Sequence, residues 1–200
     1  MDKRAEDIGE ILNRSDFGNV LKSRYGTEMI NGELILDNRK EEKINGKIYY
    51  MATPCDEHKD VQFNMASELN IYFRQNKKRC VARIEAEVRL ENDDYVLPDI
   101  GVYCYNNSMN VPIIIIEVLS KSTRKRDLTE KMELYASLGI KEYWIITWEI
   151  SAIDVYVLND SGGYNLHDTY VYNGETEQEF SPVSVPELKI KLEDVFYFVT

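Results

Sequence analysis

Asp99 follows Pro98 at the opening of an apolar segment, and Glu117 directly follows the run Ile113-Ile114-Ile115-Ile116. An ionised carboxylate within such a run is costly unless it is paired or binds a metal, so Glu117 calls for a partner. Two carboxylates converging from neighbouring strands make the oxygen-rich cradle that Mg2+ prefers, with water and substrate phosphate filling its other positions. The chemistry such a cradle supports is hydrolysis, because the ion acidifies water and neutralises charge developing on phosphorane oxygens. A cation should complete the set. Lys131 lies one helical turn after Asp127 and on the same face, placed to meet a scissile phosphate or the attacking water. Asp127 has a second explanation, because with Glu130 three positions on it fits a capping box.

Other candidates flank these three. Glu57 and His58 open a helix just past Pro54, where an acid complements the helix dipole. Glu57 is a candidate further metal ligand and His58 a supporting group, while Glu68, deeper in the same helix, is a competing acid. The segment Ser120-Lys121-Ser122-Thr123-Arg124-Lys125-Arg126 is the most basic run in the chain. Lys121, Arg124, Lys125 and Arg126 could contact phosphates there, and a merely solvated loop explains them equally well. The formal charge of −11 opposes long-range attraction to a polyanion, so any action on nucleic acid must rest on a local patch.

The elements that must position these residues follow from periodicity. Val61, Met65, Leu69, Tyr72 and Phe73 recur at helical spacing between Asp56 and Gln75. Three strands follow: one through Val81, Ala86, Val88 and Leu90, one over 96–105, and one over 113–119 with no polar face before Glu117, hence buried on both sides. Leu128, Met132, Tyr135 and Leu138 predict a second helix over 127–138, ended by Gly139. Glu142 to Thr147 is a further buried strand. The strand-helix-strand spacing predicts a parallel pair with a right-handed crossover. Asn45-Gly46 favours a tight hairpin turn, Asn31-Gly32 resembles it, and the segment 153–196 reads as short strands in hairpins. The fold class is α/β, a central mixed sheet flanked by helices. Residues 38–43 read as a charged loop, and a short helix is predicted over 4–13.

The 200 residues, 44% of them apolar, suit one globular unit, 44–200, preceded by an N-terminal helical extension, 1–43. No run approaches the roughly 20 apolar residues of a membrane helix. The charged start has no secretory pattern, which points to the cytoplasm. Cys55, Cys80 and Cys104 are odd in number and lack a C-x-x-C pair, so the expectation is three small core residues, with no disulfide and no zinc site.

Pro98-Asp99, then Ile116 to Thr123, then Asp127, Lys131, Tyr135, Gly139 and Glu142-Tyr143-Trp144 occur in the order and spacing of a known family. Asn45 to Pro54 with Glu57-His58, and Leu192-Glu193-Asp194-Val195-Phe196 near the end, extend the match over about 44–196. In these residues the chain resembles the Uma family of restriction-endonuclease-like proteins, within the PD-(D/E)XK nuclease superfamily. The resemblance implies the restriction-endonuclease fold, a divalent metal (Mg2+, with Mn2+ as substitute), phosphodiester hydrolysis in DNA, and a homodimer. It makes Asp99 the aspartate of the motif and Glu117 its acidic second position. The pattern wants lysine two residues after that acid, and this chain has Leu119 there. In the family the lysine has moved to the following helix, which maps onto Lys131, with Lys121 as the fallback. Two other readings stand beside a DNA endonuclease. One is a nuclease acting on RNA or on single-stranded or branched DNA. The other, motivated by the acidic balance, is a non-catalytic binding or scaffold protein that keeps the fold.

Overall fold

The computed structural model describes residues 27–30, 33–36, 40–90, 93–105, 111–120, 123–175 and 177–199. The predicted helix over 4–13 lies outside the described residues, as does Lys121. The chain divides into two compact units, Met1–Glu41 and Glu42–Thr200. In the first, β1 (Thr27–Ile30) and β2 (Glu33–Leu36) form an antiparallel hairpin.

The second unit is built on a six-stranded sheet whose members are β5 (Cys80–Ile84), β8 (Ile100–Cys104), β9 (Ile114–Val118), β10 (Glu142–Thr147), β11 (Ala152–Leu158) and β12 (Tyr164–Val171). Their order is β12-β11-β10-β9-β8-β5. β9 and β10 run parallel and every other pair is antiparallel, so the sheet is mixed as its spacing predicts. A smaller sheet, order β4-β3-β7-β6, contains β3 (Glu41–Ile44), β4 (Lys47–Tyr50), β6 (Val88–Arg89) and β7 (Tyr95–Val96). The turn between β3 and β4 carries Asn45 and Gly46 with φ of 52° and 74°, the positive values that Asn-Gly tolerates.

The twenty-residue helix α1 (Asp56–Gln75) buries Val61, Met65, Leu69 and Phe73 against Ile100, Val102, Ile114 and Ile116 on one sheet face. The other face packs Ile115, Leu119, Tyr143 and Ile145 with Ile44, Val88, Val96 and Tyr135. Every residue of β9 and β10 is therefore buried, Glu117 and Glu142 included. Glu142 accepts from the Trp144 Nε1–H and from the Val183 and Ser184 backbone N–H groups, which satisfies it without a cation. Asn70 of α1 closes the open edge of β5, exchanging hydrogen bonds of 2.9 Å with both the N–H and the carbonyl of Ala82.

Four sequence expectations change. The strand read through Val81 to Leu90 is two, β5 and β6, and that over 96–105 is β7 and β8, so that each divides between the large and the small sheet. Residues 41–44 are strand β3 rather than loop, because Glu42 and Ile44 alternate inward while Glu41 and Lys43 lie partly exposed. The second helix is two pieces, α2 (Arg124–Asp127) and α3 (Glu130–Ser137), so Asp127 ends a turn instead of capping a helix start. The cysteines are not three separate core residues. Cys80 and Cys104 are directly opposite on β5 and β8 and form a disulfide, and Cys55 is free and exposed before α1. An odd count does not decide the matter, since pairing depends on strand register that no spacing rule contains. Alkylation without reductant is expected to label Cys55 alone, and all three cysteines after reduction, read by mass spectrometry. With the partners 24 positions apart, losing the bridge through Cys80→Ser should cost about 3 kcal/mol in denaturant unfolding.

Candidate active site

Asp99 sits where the chain enters β8, and the pairing of Ile100 with Ile116 brings it opposite Glu117 near the end of β9. The two strands hold each other's acids. The Val118 N–H donates to Asp99 Oδ2 at 2.7 Å, and the Asp99 N–H donates to Glu117 Oε2 at 3.3 Å. From α1, His58 Nε2 meets Asp99 Oδ1 at 3.2 Å, while the Gln62 amide donates to the Asp99 carbonyl at 2.9 Å. One helix, one strand entry and one strand end thus meet at a single point.

The other Glu117 oxygen takes two donors from α3, the Lys131 ammonium at 3.0 Å and the Tyr135 hydroxyl at 2.8 Å. Lys131 is 1% exposed and bound on three sides, with Glu42 Oε1 at 2.8 Å and Asp127 Oδ1 at 3.5 Å. Asp127 Oδ1 accepts no hydrogen bond and meets the ammonium by charge alone. Glu42, wholly buried on β3, also accepts from the Leu97 N–H and meets Arg126 Nη1 at 3.3 Å. The Tyr143 hydroxyl donates to the Asp127 carbonyl and fixes the end of α2.

Four of the predicted site residues, Asp99, Glu117, Asp127 and Lys131, come together, with His58 on Asp99. Glu57 is exposed, and no hydrogen bond or ion pair among the described residues joins it to them. Arg126 lies half-inside through Glu42, and its guanidinium carbon is 4.1 Å from the Tyr49 ring centroid. Arg124 and Lys125 point to solvent. Glu42 is the residue that sequence reasoning missed. Its one clue was the alternation Glu42, Ile44 leading into the Asn45-Gly46 turn. Leu119, on the same sheet face as Glu117, is 3% exposed among Ile115, Tyr135 and Ile145, so a lysine at that position would be buried in hydrocarbon.

Burial pushes the Glu117 carboxyl well above the usual carboxylate range, against the lowering pull of the Lys131 ammonium. Burial likewise raises Asp127. Burial alone would lower Lys131, but the Glu117, Glu42 and Asp127 charges outweigh it and hold the ammonium above its ordinary value. Four buried carboxyl groups (Glu42, Asp99, Glu117, Asp127) face two cations, Lys131 and Arg126, so that with all four ionised and His58 neutral two negative charges are in excess. A hard divalent cation matches that excess and that all-oxygen chemistry, with Asp99 and Glu117 as the residues that would hold it. No cluster of three or more protein ligands occurs among the described residues. Mg2+ does not need one, since it keeps several waters and binds through one or two carboxylates.

A model of the Uma2 family, whose description reads "Putative restriction endonuclease", matches residues 27–193. The chain belongs to this family. Among curated relatives, the Uma2 chain is similar to the uncharacterised protein slr1290 of Synechocystis sp., 26% identical over 133 residues, which are 62% of this chain and 70% of that protein. Its fold resembles the crystal structure of "a putative nuclease belonging to DUF820" from Anabaena variabilis, with a TM-score of 0.62 and 22% identity, covering 80% of this chain and 91% of that one. The Uma2 match begins at residue 27 and so takes in the hairpin β1–β2 as well as the second unit. The α/β architecture expected from periodicity is the one this neighbour shares.

The raised Glu117 carboxyl has a consequence for stability. Its folded value lies above its unfolded one, so the stability it contributes is complete below the ordinary carboxylate range and is lost as pH rises through the folded value. Metal-free Glu117→Gln is expected to melt at a higher temperature than wild type at neutral pH, with the gap closing towards pH 4. Added Mg2+ should raise the melting temperature of wild type and not of the variant. Equal melting temperatures in EDTA at pH 7.5 would show that Glu117 carries no such penalty.

Proposed function

We propose that this Uma2 chain is a metal-dependent endonuclease that hydrolyses phosphodiester bonds in nucleic acid, DNA first among the candidates. The observation that carries the reading is the pair Asp99 and Glu117, locked together by backbone N–H groups of each other's strands within a buried cluster whose carboxyl groups outnumber its cations. A divalent ion held by the two carboxylates supplies Lewis-acid chemistry, acidifying water and neutralising charge on the phosphate. The protein's part is orientation. His58 and the Val118 N–H fix the Asp99 carboxylate, while Lys131 and the Tyr135 hydroxyl fix one Glu117 oxygen and leave the other towards Asp99. Lys131 acts in this reading through Glu117, favouring its ionised form against burial and holding it in place, and not as a free contact to phosphate.

The test uses purified wild type and Asp99→Ala with labelled double-stranded DNA, single-stranded DNA and RNA. Each is incubated with Mg2+, Mn2+ or EDTA at low salt, because an acidic protein binds polyanions weakly. Cleavage that requires metal and is lost in the variant supports the proposal and identifies the substrate. Metal binding at Asp99 and Glu117 with no cleavage of any substrate would favour the scaffold reading instead.

A further inference from the structure

Leu119 occupies the position where the motif places lysine, and the buried Lys131 ammonium is enclosed by the Glu42, Glu117 and Asp127 carboxylates. A cation that meets a phosphate held at Asp99 and Glu117 must therefore come from another element. Arg83 of β5 pairs directly with Gly101 of β8, which pairs with Ile115 of β9. Paired residues share a sheet face, and alternation along β9 puts Glu117 on the face of Ile115. Arg83 and Glu117 thus look out from the same side of the sheet, and Gly101 is two residues beyond Asp99.

Arg83 is exposed, and none of the ion pairs among the described residues includes it. Its guanidinium carbon lies 5.0 Å from the centroid of the Tyr103 ring. That ring is laid back along β8 over Gly101. A Cβ at Gly101 would come within 2.9 Å of Tyr103 Cε2 and 3.1 Å of its hydroxyl oxygen, so the arrangement requires glycine there. The hydroxyl does not explain the ring's position, because it is buried without a hydrogen-bond partner. What the ring does hold is the arginine. A guanidinium stacked on an aromatic face keeps its planar fork of N–H donors free for a bidentate oxyanion.

We propose that Arg83, seated on the Tyr103 ring above Gly101, binds the substrate phosphodiester at or beside the scissile phosphate, with Tyr103 as its positioning residue. The proposal rests on the nuclease reading above and adds to it the substrate-binding cation. It places that cation on β5, two strands from β9 in the sheet order.

The test compares full-length wild type, Arg83→Ala, Arg83→Lys, Tyr103→Phe and Tyr103→Leu on the nucleic acid that wild type cleaves. Single-turnover cleavage is measured in Mg2+, and the salt dependence of binding in EDTA. Arg83→Ala should cleave about a hundredfold more slowly and lose roughly one from the slope of log Kd against log salt, with an unchanged melting temperature. Arg83→Lys should recover part of both, since a point charge replaces a fork. Tyr103→Phe keeps the ring and should behave as wild type, whereas Tyr103→Leu should share the arginine defect. Wild-type rate and salt slope in Arg83→Ala, with Asp99→Ala inactive, would overturn this assignment and leave the nuclease reading intact. Failure of wild type to cut any nucleic acid would remove the reading itself and this inference with it.

Discussion

Asp99→Ala is expected to lower metal-dependent cleavage by about three orders of magnitude or more, the scale on which removal of a group acting on the reacting centre is felt. The variant loses one of two carboxylates facing the proposed ion, and it frees His58 and the Val118 N–H from their acceptor. Asp99→Asn separates the two effects. The amide oxygen can still accept from Val118 while the charge is gone, so this variant should fold like wild type and remain inactive. Cleavage by Asp99→Asn at the wild-type rate would show that the Asp99 charge takes no part in the reaction. Both variants are read in the same labelled-substrate assay, with a thermal melt to establish that each is folded.

The second large effect is on stability. Lys131→Met keeps the length of the side chain and removes its charge, leaving Glu42, Glu117 and Asp127 buried at 2% exposure or less without their shared counterion. Breaking a buried ion pair from one side costs about 3–5 kcal/mol, and in a unit of this size that lowers the melting temperature by on the order of 10 °C. The loss should shrink in acid, because protonated carboxyls no longer need a cation. Urea unfolding at pH 7.5 and pH 5 measures both statements. A methionine variant as stable as wild type at pH 7.5 would mean that the lysine cage does not hold this end of α3, and that Glu117 is neutral in the folded protein.

Much of the site was legible because its residues break local rules. Glu117 stood out as an acid after four isoleucines, and Asp99 as an acid at a strand entry. Both anomalies mark places where a charge needs a reason. Lys131 was legible from its place one turn after Asp127 and from the family pattern, although a helix lysine four residues from a candidate cap ordinarily reads as solvated. Its burial follows from α3 lying over β9, a contact that helical periodicity cannot state. Glu42 was misread because five charged residues in a row look like a loop, and only the pairing of β3 with β4 and β7 turns its side chain inward. Arg83 and Tyr103 look like ordinary strand residues, and their meaning comes from Arg83 lying opposite Gly101 on the neighbouring strand while the Tyr103 ring lies back over that glycine.

The sequence by itself determined the periodicities, and through them the helix on 56–75, the buried strands on 114–118 and 142–147, and the parallel pair between them. These are local properties, set by which residues recur at period 2 or 3.6 and by what a turn of Asn-Gly allows. Tertiary structure decided everything that depends on register. It opposed Asp99 to Glu117, joined Cys80 to Cys104, and gathered three carboxylates around one ammonium. The physical reason is that a charge or thiol is defined by its neighbours within a few ångströms, and those neighbours are supplied by strands and helices distant in the chain.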